Sequence, residues 1–214
     1  MNKQLRLLVA AALLAGATAP VQAYDAGDWI IRAGVGVVDP KSDNLNLSDE
    51  VDSVKVEVDS GTSMTLMGTY MFTRNWAFDI LAAYPFSHDI KLNVNGVSEK
   101  IASTDHLPPT FSVQYHFMPD GKIQPYAGLG FNWTTFFNTD TVSELSDAGI
   151  GLSLDDSFGV AAQLGADWLL NDSWLLNFDL RWINIETDAS LGGADIGTVE
   201  IDPWVYSINV GYRF

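Results

Sequence analysis

"DPWVYSINVGYRF", residues 202–214, closes the chain, and its reading decides the fold. One parity is Trp204, Tyr206, Ile208, Val210, Tyr212 and Phe214; the other is Val205, Ser207, Asn209, Gly211 and Arg213. Successive side chains of a strand point to opposite faces, so one face is bulky and apolar and the other mostly small or polar. A soluble protein gains little from a bare Phe at a frayed end. As the last strand of a closed barrel in lipid the segment is intelligible: its apolar face meets hydrocarbon and it closes on the first strand.

The pattern recurs upstream. Residues 174–183 set Trp174, Leu176, Phe178, Leu180 and Trp182 against Leu175, Asn177, Asp179, Arg181 and Ile183. Residues 158–170 and 76–86 alternate as clearly, and 28–38, 62–72, 109–117 and 124–137 more weakly. Eight segments of roughly ten residues match the length a tilted strand needs to cross hydrocarbon. Three connections are short and carry turn residues: 73–75, 118–123 and 171–173. Four are long and polar, about 39–61, 87–107, 138–156 and 187–200. The expected fold is all-β, an eight-stranded antiparallel transmembrane barrel over 24–214, with both termini on the short-turn, periplasmic side. Aromatics band at two heights, Trp29, Trp76, Trp174 and Phe214 among those at the short-turn ends, and Tyr84, Phe86, Phe137, Phe158, Trp182 and Trp204 at the other.

Composition agrees. Apolar residues make up 47% of 214 residues and charged ones only 18%, too apolar for disorder. Lys3 and Arg6, then Leu7 to Ala15, then Val21-Gln22-Ala23 read as a signal peptide over 1–23, cut after Ala23. Losing those two cations takes the net charge from −16 to −18, a poor surface for nucleic acid. No later stretch is long and apolar enough for a transmembrane helix. The remaining class, a secreted soluble ligand-binding barrel, would be separated by detergent extraction and heat-modifiable gel migration.

"YPFSH" (84–88), "HLPPT" (106–110), "WTTFF" (133–137), "DPWV" (202–205) and the terminal "GYRF" resemble, in order and spacing, the OmpW family of outer-membrane proteins. The resemblance covers essentially all of 24–214. It implies an eight-stranded barrel in the bacterial outer membrane and passive passage of small hydrophobic molecules. It also implies an apolar narrowing from the third and seventh strands, whose matching positions are Leu81 and Arg181; the Arg departs from an apolar gate. The terminal aromatic Phe214 resembles the signal recognised by the barrel-assembly machinery.

Eight strands leave a lumen that side chains fill, so a wide aqueous pore is not expected. The inward parity carries Arg32, Asp79, Asp167, Asp179 and Arg181 among other polar residues, which would form a salt-bridged plug. Met67, Leu81, Phe158, Leu169 and Ile183 are the candidates for an apolar passage. An apolar solute would leave sideways through a weak place in the wall. Pro85, Pro108 and Pro109 fall at nearly one height on the third and fourth strands and have no N–H for the ladder. Either they mark a lateral opening, or they only end the pairing where the second long loop begins.

Other groupings are weaker. His88 and His106 bracket that loop and would approach each other, but with no thiolate and no carboxylate spacing they do not specify a metal site. The alternative for His106 is a hydrogen bond in a turn. Loop 1 holds Asp39, Asp43, Asp49, Glu50, Asp52, Glu57 and Asp59, either a solvated, self-repelling loop or loose divalent contacts beside lipopolysaccharide phosphates. Ser87, His88 and Asp89 are consecutive, so a strand points them to opposite faces and no triad forms. No enzyme, cofactor or metal is expected. The expected partners are small hydrophobic molecules, outer-membrane lipids with lipopolysaccharide, and the assembly machinery, with no nucleic acid. The rival function is a structural or adhesive surface protein acting through its loops.

Overall fold

The computed structural model describes residues 24–41, 44–46 and 54–214; the expected signal peptide, 1–23, and Asp43, Asp49, Glu50 and Asp52 of the acidic loop lie outside them. Eight antiparallel strands form the wall: β1 Trp29–Asp39, β2 Gly61–Met71, β3 Trp76–Ala83, β4 Thr110–His116, β5 Ile123–Thr141, β6 Ser157–Leu169, β7 Trp174–Ile183 and β8 Trp204–Arg213. Each pairs with its chain neighbours, and β8 also pairs with β1 from Asp39↔Trp204 to Ile30↔Arg213, so the sheet closes. Closure leaves the wall no open edge, a condition for a sheet in hydrocarbon. The Phe214 amide donates to the Trp29 carbonyl at 2.9 Å, so the terminal residue stitches the final strand to the first.

Alternation is realised as sidedness. Trp204, Tyr206, Ile208 and Val210 are exposed on the outer face, while Val205, Ser207 and Asn209 are buried in the lumen. On β7, Phe178 is outside, with Leu175, Asn177, Asp179, Arg181 and Ile183 inside. The short turns are held by side chains: Asn171 Oδ1 accepts from the Ser173 and Trp174 amides at 2.9 and 2.8 Å, and Thr73 Oγ1 accepts from Trp76 at 3.0 Å. Ring pairs follow that rim, among them Trp29–Tyr70 and Trp76–Tyr115 at 4.9 Å and Tyr212–Phe214 at 4.8 Å. At the other rim Trp133 and Phe158 stack at 5.8 Å. Phe86 does not belong to that outer band; it is buried inside.

The four long connections are not simply loops. The segment expected as loop 2 is a hairpin of Phe86–Val94 and Val97–Leu107, turning at Asn95-Gly96 with φ 53° and 84°. A two-residue turn with both φ positive matches the twist of flanking strands, which is why Asn-Gly sits there. Val54–Val58 joins one side of that hairpin and the upper end of β5 the other. A second sheet is built from Leu152–Leu154, Glu186–Leu191 and Ala194–Glu200, with Gly192-Gly193 as its turn. A short helix, α1 (Ser143–Asp147), lies between β5 and Leu152. The two sheets make a folded roof over the long-loop end of the barrel.

A roof cavity above a charged floor

Three layers fill the interior. At the short-turn end Tyr24, Ile30, Met71, Ala77, Leu169 and Leu175 pack into an apolar plug. Tyr24 precedes the first strand and reaches back under the barrel, its hydroxyl donating to Asp167 Oδ2 at 2.9 Å.

Above the plug lies a polar layer with its charges fully buried. Arg32 grips Asp167 through Nε at 3.0 Å and Nη2 at 2.5 Å, and its Nη1 reaches Thr69, which in turn donates to Asp79 at 2.6 Å. Arg181 pairs with Asp179 through Nε at 2.8 Å and with Asp79 through Nη2 at 2.7 Å. Tyr126 donates to Asp179 at 2.7 Å, and Asn177 links Tyr126 to Asp167. Gly165 makes room for Tyr126: a Cβ there would lie 2.3 Å from the phenol oxygen. A low-dielectric lumen tolerates these ions only as a paired, hydrogen-bonded set. The expected plug residues Arg32, Asp79, Asp179 and Arg181 are thus brought together; Arg181 belongs to the plug. Tyr24, Thr69 and Tyr126 complete the network and are additions to the sequence reading.

Over that layer a second apolar cluster, including Val38, Phe86, Ala161, Ile183 and Val205, continues into the roof. Between the roof sheets is an apolar cavity of about 220 Å³ whose walls include Val56, Ile90, Leu154, Ala189, Val199 and Ile201. His88 and His106 also line it. Their rings stack at 4.8 Å, and His106 lies between Phe86 at 5.6 Å and Phe136 at 5.9 Å. The two histidines therefore do meet, in a buried stack rather than in a turn.

The apolar candidates separate in space. Met67 and Leu81 face each other across β2 and β3, Met67 Sδ lying 3.2 Å from Arg181 Nη2, so they roof the charged layer. Ile183 is in the cluster under the cavity. Leu169 is not on this route: it packs in the plug beneath the ions. Phe158 is not in the interior: it stands on the outer face, 74% exposed, stacked on Trp133. Its strand parity had already placed it with the lipid-facing set.

At the three prolines the wall changes. β3 and β4 pair from Trp76↔Tyr115 to Leu81↔Thr110, and the next pairing across this seam is Phe86↔His106. Residues 82–85 and 107–109 make no ladder pair with each other among the described residues. Both edges stay anchored on their far sides: the Tyr84 amide donates to Met64 at 2.9 Å, and the Pro109 carbonyl accepts from Trp133 N and Asn132 Nδ2, each at 3.1 Å. The seam between β3 and β4 is unlaced over this stretch, directly under the His88–His106 stack.

Burial holds both imidazoles towards neutrality. It pushes His106 down to about 3, helped by the neighbouring His88 and opposed by Asp105. It also lowers His88, against the hydrogen bond to the Asp59 carbonyl and the charges of Asp105 and Asp59. A base whose folded pKa is depressed is neutral in both states above about pH 6.5, so its environment costs nothing there. Below that, the opened state takes up a proton that the closed state refuses until about pH 3, and stability falls. The full loss for His106 is roughly 3–5 kcal/mol. Protection factors of amides 86–90 and 104–107 in lipid nanodiscs should therefore drop at least tenfold between pH 7 and 4.5, and His106→Phe should flatten that dependence.

An outer face that is apolar over eight closed strands, with ring bands at its rims and ions confined to the lumen, defines an integral β-barrel protein of the outer membrane. The chain belongs to the OmpW family, whose profile matches residues 25–214. It is 45% identical over 213 residues to Outer membrane protein W of Vibrio cholerae serotype O1, an alignment covering 95% of this chain and 96% of that one. The crystal structure of OprG from Pseudomonas aeruginosa is 38% identical, with a TM-score of 0.79 over 91% of this chain and 99% of that one. Outer membrane protein AlkL, solved in DMPC lipid bilayers, is 25% identical with a TM-score of 0.66, covering 92% and 95%.

Proposed function

We propose that this protein is a passive, non-catalytic conduit for small hydrophobic molecules, which enter the roof cavity and leave sideways between β3 and β4. The observation that carries the reading is the stacking order of the interior. An apolar cavity sits above a fully buried charged layer, and the break in the ladder lies at their junction. A straight descent would drag an apolar solute past Arg181, Asp79, Asp167 and Arg32, which have no spare room or solvation to offer it. A sideways exit avoids them and delivers the solute into hydrocarbon, where its transfer is favourable. Pro85, Pro108 and Pro109 keep the seam unlaced because they cannot donate to it. On this reading the roof faces outward beside lipopolysaccharide, both termini are periplasmic, and Phe214 is the end offered to the assembly machinery.

The test is uptake of a long-chain alkyl compound by intact cells with and without the protein. Expression should raise the initial rate several-fold, and trimming the tip of the 86–107 hairpin should leave most of the gain. If expression changes only surface attachment, and trimming abolishes that, the adhesive reading replaces this one.

A further inference from the structure

Two histidines lining the roof cavity are chemically unfinished. His88 and His106 are each 3% exposed and both line an otherwise apolar space, yet neither Nε2 has a hydrogen-bond partner. The other polar side chains lining the cavity are satisfied: Thr104 with Thr139 at 2.9 Å and Thr187 with the Asp155 carbonyl at 2.6 Å. The tautomer of His88 is set by its surroundings. Its Nδ1 lies 2.5 Å from the Asp59 carbonyl, which can only accept, so Nδ1 carries the proton and Nε2 the lone pair. Gly61 packs on the same imidazole; a Cβ at that position would come within 2.8 Å of its Cε1. The ring of this cavity-lining residue is thereby held in place, and its Nε2 is left an unpaired acceptor.

Buried acceptors without partners are uncommon, because leaving water unreplaced is costly. An apolar site with a few placed polar atoms is the usual form of a small-molecule pocket. We propose that the His88–His106 pair receives the neutral O–H head of an otherwise apolar molecule, such as a long-chain alcohol. The hydroxyl proton goes to His88 Nε2, and the chain lies among Val56, Ile90, Val199 and Ile201. Bare hydrocarbon fits the walls but leaves the imidazole unpaired. An ammonium or carboxylate head would bring an uncompensated charge into an apolar space. Burial, which keeps both rings neutral, suits them to a neutral partner. The inference rests on the conduit reading, since the pair stands between the cavity and the unlaced seam, and it adds a preference to that route.

The experiment uses the full protein in nanodiscs with 1-decanol, decyl methyl ether and n-decane as probes. The ether keeps an oxygen but cannot donate. Decanol should move the imidazole ¹⁵N resonance of His88 Nε2, and the ether and alkane should not. In proteoliposomes decanol should compete about tenfold better than the ether for passage, and His88→Phe should remove that advantage. The resonance is read on the unaltered protein, so a misfolded variant does not decide the matter. If all three probes pass equally and the resonance stays put, the histidine assignment is wrong and the conduit stands. If the unaltered protein passes none of them, both fall.

Discussion

Arg181→Met should lower the stability of the barrel in bilayers by roughly 3–5 kcal/mol, the range for breaking a buried pair by removing one partner. Five charged side chains carry the polar layer, Arg32 and Arg181 against Asp79, Asp167 and Asp179, so it is already one cation short. Arg32 is committed to Asp167, and its Nη1 stands 3.9 Å from Asp79. Among the described residues, removing Arg181 takes the only short ion pair from both Asp79 and Asp179 and leaves one cation facing three carboxylates. Met restores volume and apolar contact with Met67 but no charge. The matched variant Arg181→Met/Asp79→Asn/Asp179→Asn should recover most of the loss, because it removes the charges together with their desolvation cost. Urea titration in lipid vesicles, followed by tryptophan fluorescence, reads both. By comparison, breaking the exposed Lys91–Asp59 pair of the roof should cost far less. Equal losses for single and triple variants would mean that Arg181 acts by packing alone.

The wall was legible because lipid and lumen impose opposite chemistry on alternate residues over ten-residue runs. Ser207, Asn209, Asp179 and Arg181 announced their side of the sheet in the sequence, and the structure places them there. The roof was not read, although its signals were present. Asn95-Gly96 and Gly192-Gly193 are hairpin turns, and Phe86, His88 and Ile90 alternate towards the first of them. Abundant Asp, Ser and Asn made those stretches resemble solvated loops, because roof strands expose their outer face to water and bury only a narrow inner one. A hairpin centred on Asn95-Gly96 would by itself set Phe86 opposite Asp105; one extra residue, Ile101, shifts the register so that Phe86 faces His106 and the histidines meet, and no turn signal reports that bulge. Tyr24 was hidden for another reason: it lies outside any strand, and no periodicity reports a tail folded under a barrel. Phe158 was misplaced by asking for an apolar gate where its own parity pointed to lipid.

Those corrections sharpen the route. With Phe158 outside and Leu169 beneath the ions, the apolar path has no continuation below Met67 and Leu81. On the conduit reading the charged layer, besides stabilising the barrel, would turn traffic away from its axis. The function proposed here depends on one seam, and that seam can be closed at will.

Extending the β3–β4 register past Leu81↔Thr110 sets Ala83 opposite Pro108. The chain has no cysteine, so Ala83→Cys/Pro108→Cys introduces a single possible disulfide. Its formation requires Cα atoms within about 7 Å, so the bond forms only with the seam drawn shut. Oxidation should abolish most of the alkyl uptake by intact cells, and a reductant should restore it without new synthesis. Leu66→Cys/Ala82→Cys, across the adjacent seam where the register already pairs those residues, supplies the control and should leave uptake unchanged. The comparison separates closure of a route from general stiffening, since both bonds tie β3 to a neighbour and only one spans the unlaced stretch. Full uptake by the oxidised Ala83–Pro108 variant would remove the lateral exit from consideration. An apolar solute would then have to pass the Arg181–Asp79 pair, which the buried charges of that layer oppose.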